Sequence, residues 1–81
     1  MTFNVRLFAM VREIAGADIV SVSLPPEAPA SMVIGELAKS YPEIERWRPH
    51  LRIAVNAEYA GEDHILREHD EIALIPPVSG G

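Results

Sequence analysis

Residues 2–8 read TFNVRLF and residues 71–75 read EIALI, and these two stretches decide the fold. Apolar side chains occupy every second position from Phe3 to Leu7, which is the pattern of a half-buried β-strand. The two stretches are the most apolar strand candidates in the chain. We therefore place them side by side at the centre of one sheet.

Three further strands are predicted between them. Residues 9–15 break the alternation and end at Gly16, which predicts a short helix with a glycine stop. Residues 19–24 then alternate again, and the short connection predicts that the first two strands pair antiparallel. Residues 51–55 form the next strand, and residues 58–60 form a short one after a turn.

One amphipathic helix is predicted from Ser31, taken as its N-cap, to about Tyr41, where Pro42 stops it. Its apolar stripe consists of Val33, Ile34, Leu37, Ala38 and Tyr41. Gly35 inside this helix costs about 1 kcal/mol relative to alanine, so tertiary packing must hold the helix together.

The remaining segments carry weaker signals. Residues 43–50 are charged and predict an irregular connection with a short turn of helix, in which Trp47 is partly buried. Ile65 and Leu66 are apolar in a polar stretch, and we expect both to tuck under the sheet edge.

The element order is β, short helix, β, helix, β, short β, β, with one main helix to cover one face of the sheet. This order predicts an α+β fold, a ubiquitin-like β-grasp with a mixed sheet of four to five strands. A ferredoxin-like fold would require two long crossover helices, and only one is predicted. We expect residues 1–81 to form a single domain with a tail at residues 76–81.

Composition excludes several classes of function. The chain has 81 residues and no cysteine, which excludes a disulfide framework, a zinc-finger-type site and a thiol nucleophile. Twelve acidic residues against seven Lys and Arg give a net charge of -5, which argues against nucleic acid as a partner. No apolar run reaches the roughly 18 residues of a membrane span, and no secretory signal is visible, so a cytoplasmic protein is expected.

The polar side chains suggest no catalytic or metal centre. His50, His64 and His69 are dispersed without the spacing of metal ligands, so we predict no metal site. No carboxylate pair or Ser/His set has motif support. The Arg46-Trp47-Arg48 run is a weak nucleic-acid signal in an acidic domain.

An apolar patch is predicted on the face of the sheet that the helix leaves open. Alternation points Ala73 and Ile75 to that face, together with Phe8 and, from the short strand, Tyr59. Contiguous exposed apolar surface of this kind usually marks an interface. The alternative is that residues 42–49 or the tail fold over the patch.

The tail is the segment that predicts chemistry. Residues 78–81 read VSGG and follow a stiff pair, Pro76 and Pro77, so six residues from Pro76 extend roughly 20 Å from the end of the last strand. Gly80 and Gly81 have no Cβ atoms, so they could enter a partner's channel that is too narrow for side chains. The only functional group that such a segment brings into the channel is the α-carboxylate of Gly81. Adenylation would make that carboxylate reactive toward an amine or a sulfur donor. The alternative is a frayed terminus.

Three stretches carry a family resemblance. They are VRLFAMVREIAG at residues 5–16, AVN at residues 54–56 and DEIALIPPVSGG at residues 70–81. Together they resemble the small subunits of molybdopterin synthase, which show an F-A-x-x-R-E segment, a V-N pair and a terminal D-E-[VI]-A-x-x-P-P-V-[ST]-G-G. The resemblance spans essentially the whole chain, and the terminal motif is its most specific part.

The resemblance implies a ubiquitin-like fold and a role in molybdenum cofactor biosynthesis. An adenylyltransferase related to ubiquitin-activating enzymes would use ATP to form an acyl-adenylate at Gly81, and a persulfide donor would convert it to a thiocarboxylate. The large subunit would accept the tail, in a heterotetramer of two small and two large subunits, and sulfur would pass to precursor Z (cyclic pyranopterin monophosphate) to build the dithiolene. This chain would bind no cofactor and donate sulfur without catalysing the reaction, whose side chains are expected in the large subunit.

The resemblance also assigns residues. The family's hydrophobic contacts fall by position on Phe8, Tyr59 and Ile75, although Tyr59 replaces a more usual aliphatic residue. Arg12 with Glu13 would contact the activating enzyme, or would form an ordinary surface pair. The tail that enters the partner comprises Pro76, Pro77, Val78, Ser79, Gly80 and Gly81. Three other functions stay open: a sulfur carrier for thiamine thiazole synthesis, a protein modifier that forms isopeptide bonds, and a pure binding module.

Overall fold

Two strands, β1 (Thr2–Leu7) and β5 (Ile72–Ile75), lie side by side and parallel at the centre of a five-stranded sheet. This is the computed structural model of the chain, and it describes residues 1–76. The sheet is completed by β2 (Ile19–Ser23), β3 (Arg52–Val55) and β4 (Glu58–Ala60), in the order β2-β1-β5-β3-β4. The β1–β2, β3–β4 and β3–β5 pairs are antiparallel. The mixed sheet confirms the predicted central pair and the ubiquitin-like β-grasp.

The helices pack on one face of this sheet. They are α1 (Ala9–Ala15), α2 (Ser31–Ser40) and α3 (Glu43–Trp47), followed by a 3-10 turn at Arg48–His50. The core between helices and sheet is entirely apolar, and its most deeply buried members are Val5, Leu7, Val11, Val33, Leu37, Ile44, Leu66 and Leu74. Strand and helix bounds differ by at most one residue from those that the alternation and the apolar stripe predict.

The helix α1 ends as predicted. Gly16 adopts a left-handed conformation with φ of 73° and donates its backbone N–H to the carbonyl of Arg12 at 2.8 Å. A residue with a Cβ pays a steric penalty for this φ, so glycine is the residue that closes the helix at low cost.

The N-cap prediction for α2 was wrong. Ala30 occupies the N-cap position, and Ser31 is the first helical residue, with no side-chain hydrogen bond to the helix start. The backbone N–H of Ala30 instead donates to the carbonyl of His64 at 2.7 Å, and that of Ser31 donates to Glu62 at 3.0 Å. The carbonyls of Glu62 and His64 therefore satisfy the first two backbone donors at the helix start, while Met32 and Val33 donate to the carbonyls of Pro29 and Ala30.

Two other local predictions need correction. Residues 43–50 are mostly helical, because Ile44 is completely buried and anchors α3 to the core; Trp47 is partly buried, as predicted. Leu66 is 2% exposed and is buried as predicted, but Ile65 is 40% exposed, so the predicted burial of Ile65 was wrong. No helix within residues 1–76 is long and apolar enough to cross a membrane.

Candidate functional site

The open face of the sheet is built from the strand residues that point away from the helices. The register aligns Ile19, Arg6, Ala73, Ala54 and Tyr59 in one row across all five strands. Next to it, Ile75 pairs with Arg52 across β5 and β3. We call the surface formed by these two rows and Phe8 the open face. The tail begins at its edge, directly after Ile75.

Phe8 reaches the open face because the backbone stays extended for one residue beyond β1. Its φ and ψ of -131° and 153° continue the alternation, so Leu7 is buried while Phe8 is 40% exposed. Ala9 then turns the chain into α1 with a positive φ of 50°. The predicted outward orientation of Phe8 therefore agrees with the structure.

Tyr59 is the most exposed large apolar residue within residues 1–76, at 68%. The guanidinium carbon of Arg52 lies 5.6 Å from the centre of its ring, a cation–π distance. The two residues lie on neighbouring strands, and both line a groove together with Ile75. The sequence alone assigned no role to Arg6 or Arg52, because alternation shows where a side chain points and not what it contacts.

A groove of about 550 Å³ lies at the base of the tail. It is lined by Pro49, His50, Leu51, Arg52, Tyr59, Ile75 and Pro76. Ile75 and Pro76 are half-buried, and Ala73 and the nearly buried Ala54 give the neighbouring part of the face its small side chains. A larger cavity of about 720 Å³ continues past Tyr59 and Arg52 toward α2. Residues 42–49, which were the alternative candidate for covering the apolar patch, instead form α3 and part of the 3-10 turn. Of these residues, Pro49 lines the groove.

The rest of the predicted tail lies outside the described residues. Pro77, Val78, Ser79, Gly80 and Gly81 belong to this group, and their roles stay predictions. Arg12 is described, and its Nη1 atom lies 3.5 Å from Oδ1 of Asp18, with both side chains largely exposed. The pair is too long and too solvated to fix Arg12, so a contact with an activating enzyme also stays a prediction.

At the opposite end of β5, two motif segments contact each other. Asn56, in the β3–β4 turn with a positive φ of 53°, donates its side-chain amide to Asp70. Asp70 also accepts the backbone N–H of Arg67 at 2.7 Å. The hydrogen bond from the Arg67 backbone lowers the pKa of Asp70 below 3.8, and the hydrogen bond from Asn56 lowers it further. Desolvation of the carboxylate raises this pKa but does not cancel the two hydrogen bonds. The V-N and D-E motifs thus form one hydrogen-bonded unit that holds the start of β5.

Within residues 1–76, no three His, Asp or Glu side chains converge to hold a metal ion. The exposed groups of the site are aromatic rings, aliphatic chains, two guanidinium groups and the start of a chain that continues outward. Such a surface is suited to bind another protein and to position a tail.

Comparisons with known proteins agree with this geometry. A model of the ThiS family matches residues 5–81. The molybdopterin synthase sulfur carrier subunit of Dictyostelium discoideum is 40% identical, covering 98% of this chain and 95% of that one. The human subunit of the same name is 36% identical, covering 96% and 92%. The crystal structure of SAMP1 from Haloferax volcanii superposes with a TM-score of 0.87 and 30% identity over 100% of both chains. The chain therefore belongs to the ThiS family, and relatives named molybdopterin synthase sulfur carrier subunit match nearly its whole length.

Proposed function

We propose that this chain is the sulfur-carrier subunit of a molybdopterin synthase and that the α-carboxylate of Gly81 carries the sulfur. One observation supports this above the others. The central strand β5 is bonded on both sides, by β1 and β3, and ends at Ile75, at the edge of the exposed apolar surface. A partner that covers this surface receives the following residues at a fixed point.

The chemistry follows from a carboxylate being inert until it is activated. ATP converts the Gly81 carboxylate to an acyl-adenylate and releases pyrophosphate. A persulfide then displaces AMP, and a second thiol reduces the acyl disulfide to the thiocarboxylate. The thiocarboxylate sulfur attacks precursor Z, and water then hydrolyses the acyl–sulfur bond, which leaves the sulfur on the pterin and Gly81 as a carboxylate.

The partners follow from the same scheme. An adenylyltransferase of the ubiquitin-activating type performs the activation, and a large synthase subunit binds the open face and takes the tail, in a heterotetramer of two small and two large subunits. Acid–base residues for the pterin chemistry belong to the large subunit in this scheme. Phe8, Tyr59 and Ile75 provide the apolar contact, and residues 76–81 reach roughly 20 Å beyond it.

Intact-mass measurement tests the proposal. The purified chain is incubated with ATP, the adenylyltransferase and a persulfide donor, and fragmentation locates any added mass. We expect a gain of about 16 Da at Gly81, oxygen replaced by sulfur, with no gain when ATP is omitted. Loss of the gain with an adenylyltransferase that is active on another carrier would reject the proposal. Complementation of strains lacking the molybdopterin or the thiazole carrier then decides the pathway.

A second candidate is a protein modifier. The name of one relative favours it: small archaeal modifier protein 1 of Haloferax volcanii is 31% identical over 94% of this chain. In that case the acyl-adenylate is attacked by a lysine amine of a target instead of a sulfur donor. A modifier produces conjugates of higher mass in cell extract that vanish when Gly81 is deleted, whereas a sulfur carrier produces the thiocarboxylate alone.

A further inference from the structure

The charge on the open face differs in sign from the charge of the whole chain. The protein carries a net charge of -5, yet the strand positions that point to this face hold two arginines, Arg6 and Arg52, and no Asp or Glu. Glu71 lies directly before β5, at the end away from the tail, and it lines a groove of about 650 Å³ together with Glu68, Asp70 and Arg6. The strand positions beside Ala73 and Ile75 are therefore cationic on an acidic protein, whereas the end of the face at Glu68, Asp70 and Glu71 is acidic.

Neither arginine is neutralised by a carboxylate within residues 1–76. The ion pairs of the described part of the chain use Arg12, Lys39, Arg48 and His69. Arg52 instead lies over the Tyr59 ring, and this contact leaves the guanidinium edge free to bind another group. Both side chains are exposed, so both can form bidentate hydrogen bonds with an incoming anionic group.

We propose that the open face docks a partner surface with an apolar centre and carboxylates opposite Arg6 and Arg52. Resting on the proposed function, the inference assigns this surface to the large synthase subunit. The apolar residues Phe8, Ile75 and Tyr59 supply contact area, and arginine beside aromatic residues is a typical composition of binding hot spots. The two charges add orientation and speed of encounter, which apolar contact alone does not provide.

Charge also excludes two other occupants. A second copy of this chain would bring together two chains that each carry a net charge of -5, which opposes self-association. Nucleic acid would meet the two arginines, but the remaining surface carries the acidic excess of the chain, which repels phosphate. A protein surface with Asp or Glu side chains fits both the local cations and the overall negative charge.

Charge reversal tests the inference. The variants R6E and R52E are compared with R46E, which changes an exposed arginine on α3, away from the sheet. Each variant moves the net charge from -5 to -7, because +1 becomes -1, so non-specific repulsion is matched. R52K keeps the charge but replaces the guanidinium that lies over the Tyr59 ring. Stopped-flow mixing with the large subunit measures the association rate constant at low and high salt, and melting curves verify folding.

The expected result is a roughly tenfold slower association of R6E and R52E at low ionic strength, with a smaller difference at high salt. We expect R46E to change by less than about twofold and R52K to stay close to the parent chain. Reversal of a facing carboxylate on the large subunit to lysine should restore the rate of R6E or R52E.

The outcomes separate the two proposals. If the parent chain does not bind the large subunit, the proposed function fails. If the parent chain binds and R6E and R52E associate no more slowly than R46E, the inference about the arginines is overturned while the proposed function stands. Self-association of the parent chain through this face in sedimentation velocity, or binding of a single-stranded oligonucleotide that R6E abolishes, also overturns it.

Discussion

The side-chain amide of Asn56 donates a hydrogen bond of 2.9 Å to Oδ1 of Asp70, 14 residues further along the chain. Oδ1 of Asn56 in turn accepts the backbone N–H of Glu71 at 3.0 Å. The β3–β4 turn is thereby fastened to the residue that precedes β5. Since β5 leads directly into the tail, this contact fixes the register from which the tail begins.

Replacement of Asp70 by Asn should destabilise the fold at neutral pH by roughly 1 kcal/mol, because a charge-assisted hydrogen bond is lost in a solvent-screened position. The Arg67 N–H lowers the folded-state pKa of Asp70 below 3.8, its ordinary value. The charged carboxylate therefore contributes stability above that ordinary pKa, and the contribution is lost as pH falls through the folded pKa.

Urea unfolding at pH 7 and at about pH 3 measures this effect in both proteins. The gap between the parent chain and D70N should shrink toward acid, because a protonated Asp70 resembles Asn. A gap of equal size at both pH values would show that the carboxylate charge contributes nothing.

Replacement of Phe8 by Ala should weaken the complex with the large subunit by about 2 kcal/mol, roughly a thirtyfold rise in Kd. Phe8 is the N-cap residue of α1, but its side chain makes no capping hydrogen bond, so we expect alanine to leave the fold intact. The ring itself is free to contact the partner. Isothermal titration calorimetry measures the affinity. I65A is the matched control, since Ile65 is also 40% exposed but lies outside the open face. Equal affinities of F8A and the parent chain would remove Phe8 from the interface.

Deletion of Gly81, or replacement of Gly80 by Phe, should abolish sulfur transfer and leave the melting temperature unchanged. All core residues of the described chain lie before the tail, so folding does not need it. The deletion removes the carboxylate that is activated, and Phe adds a side chain that a narrow channel excludes. Molybdopterin formation and thermal melting are measured together. Normal product formation by either variant would contradict a role for the chain end.

Period-two alternation was sufficient to predict the central strands and the open face. On β1 and β5 every second side chain is buried, up to Leu7 and Leu74, because the side chains that point inward form the core. Helix α3 was predicted only as a short turn within an irregular connection, because just one of its five residues, Ile44, is fully buried. The start of α2 was predicted wrongly because its partners are carbonyls from residues 62 and 64, which no local pattern reveals.

The candidate site was predicted unevenly for a similar reason. Phe8 and Ile75 followed from alternation, and Tyr59 followed from its place in a short strand. The Arg52–Tyr59 contact depends on the pairing of β3 with β4, and the groove depends on Pro49 and His50 lying beside the base of the tail. Such neighbourhoods are set by the folded chain and not by any single segment.

Replacement of Gly35 by Ala should stabilise the protein, although a new Cβ would lie only 3.0 Å from Nη2 of Arg48. Alanine gains about 1 kcal/mol over glycine inside a helix. The obstructing atom is the far end of a flexible side chain whose Nη1 pairs with Glu45 at 2.8 Å. Displacement of that exposed pair costs a few tenths of a kcal/mol, so a net gain of roughly 0.5 kcal/mol is expected.

A double-mutant cycle with Arg48→Ala separates the two contributions. Without the Arg48 side chain, the same glycine replacement should give the full gain of about 1 kcal/mol in urea unfolding. The difference between the two backgrounds is then the cost of moving Arg48. If G35A destabilises the protein in both backgrounds, the backbone around α2 does not tolerate a side chain at this position and the clash is not confined to Arg48.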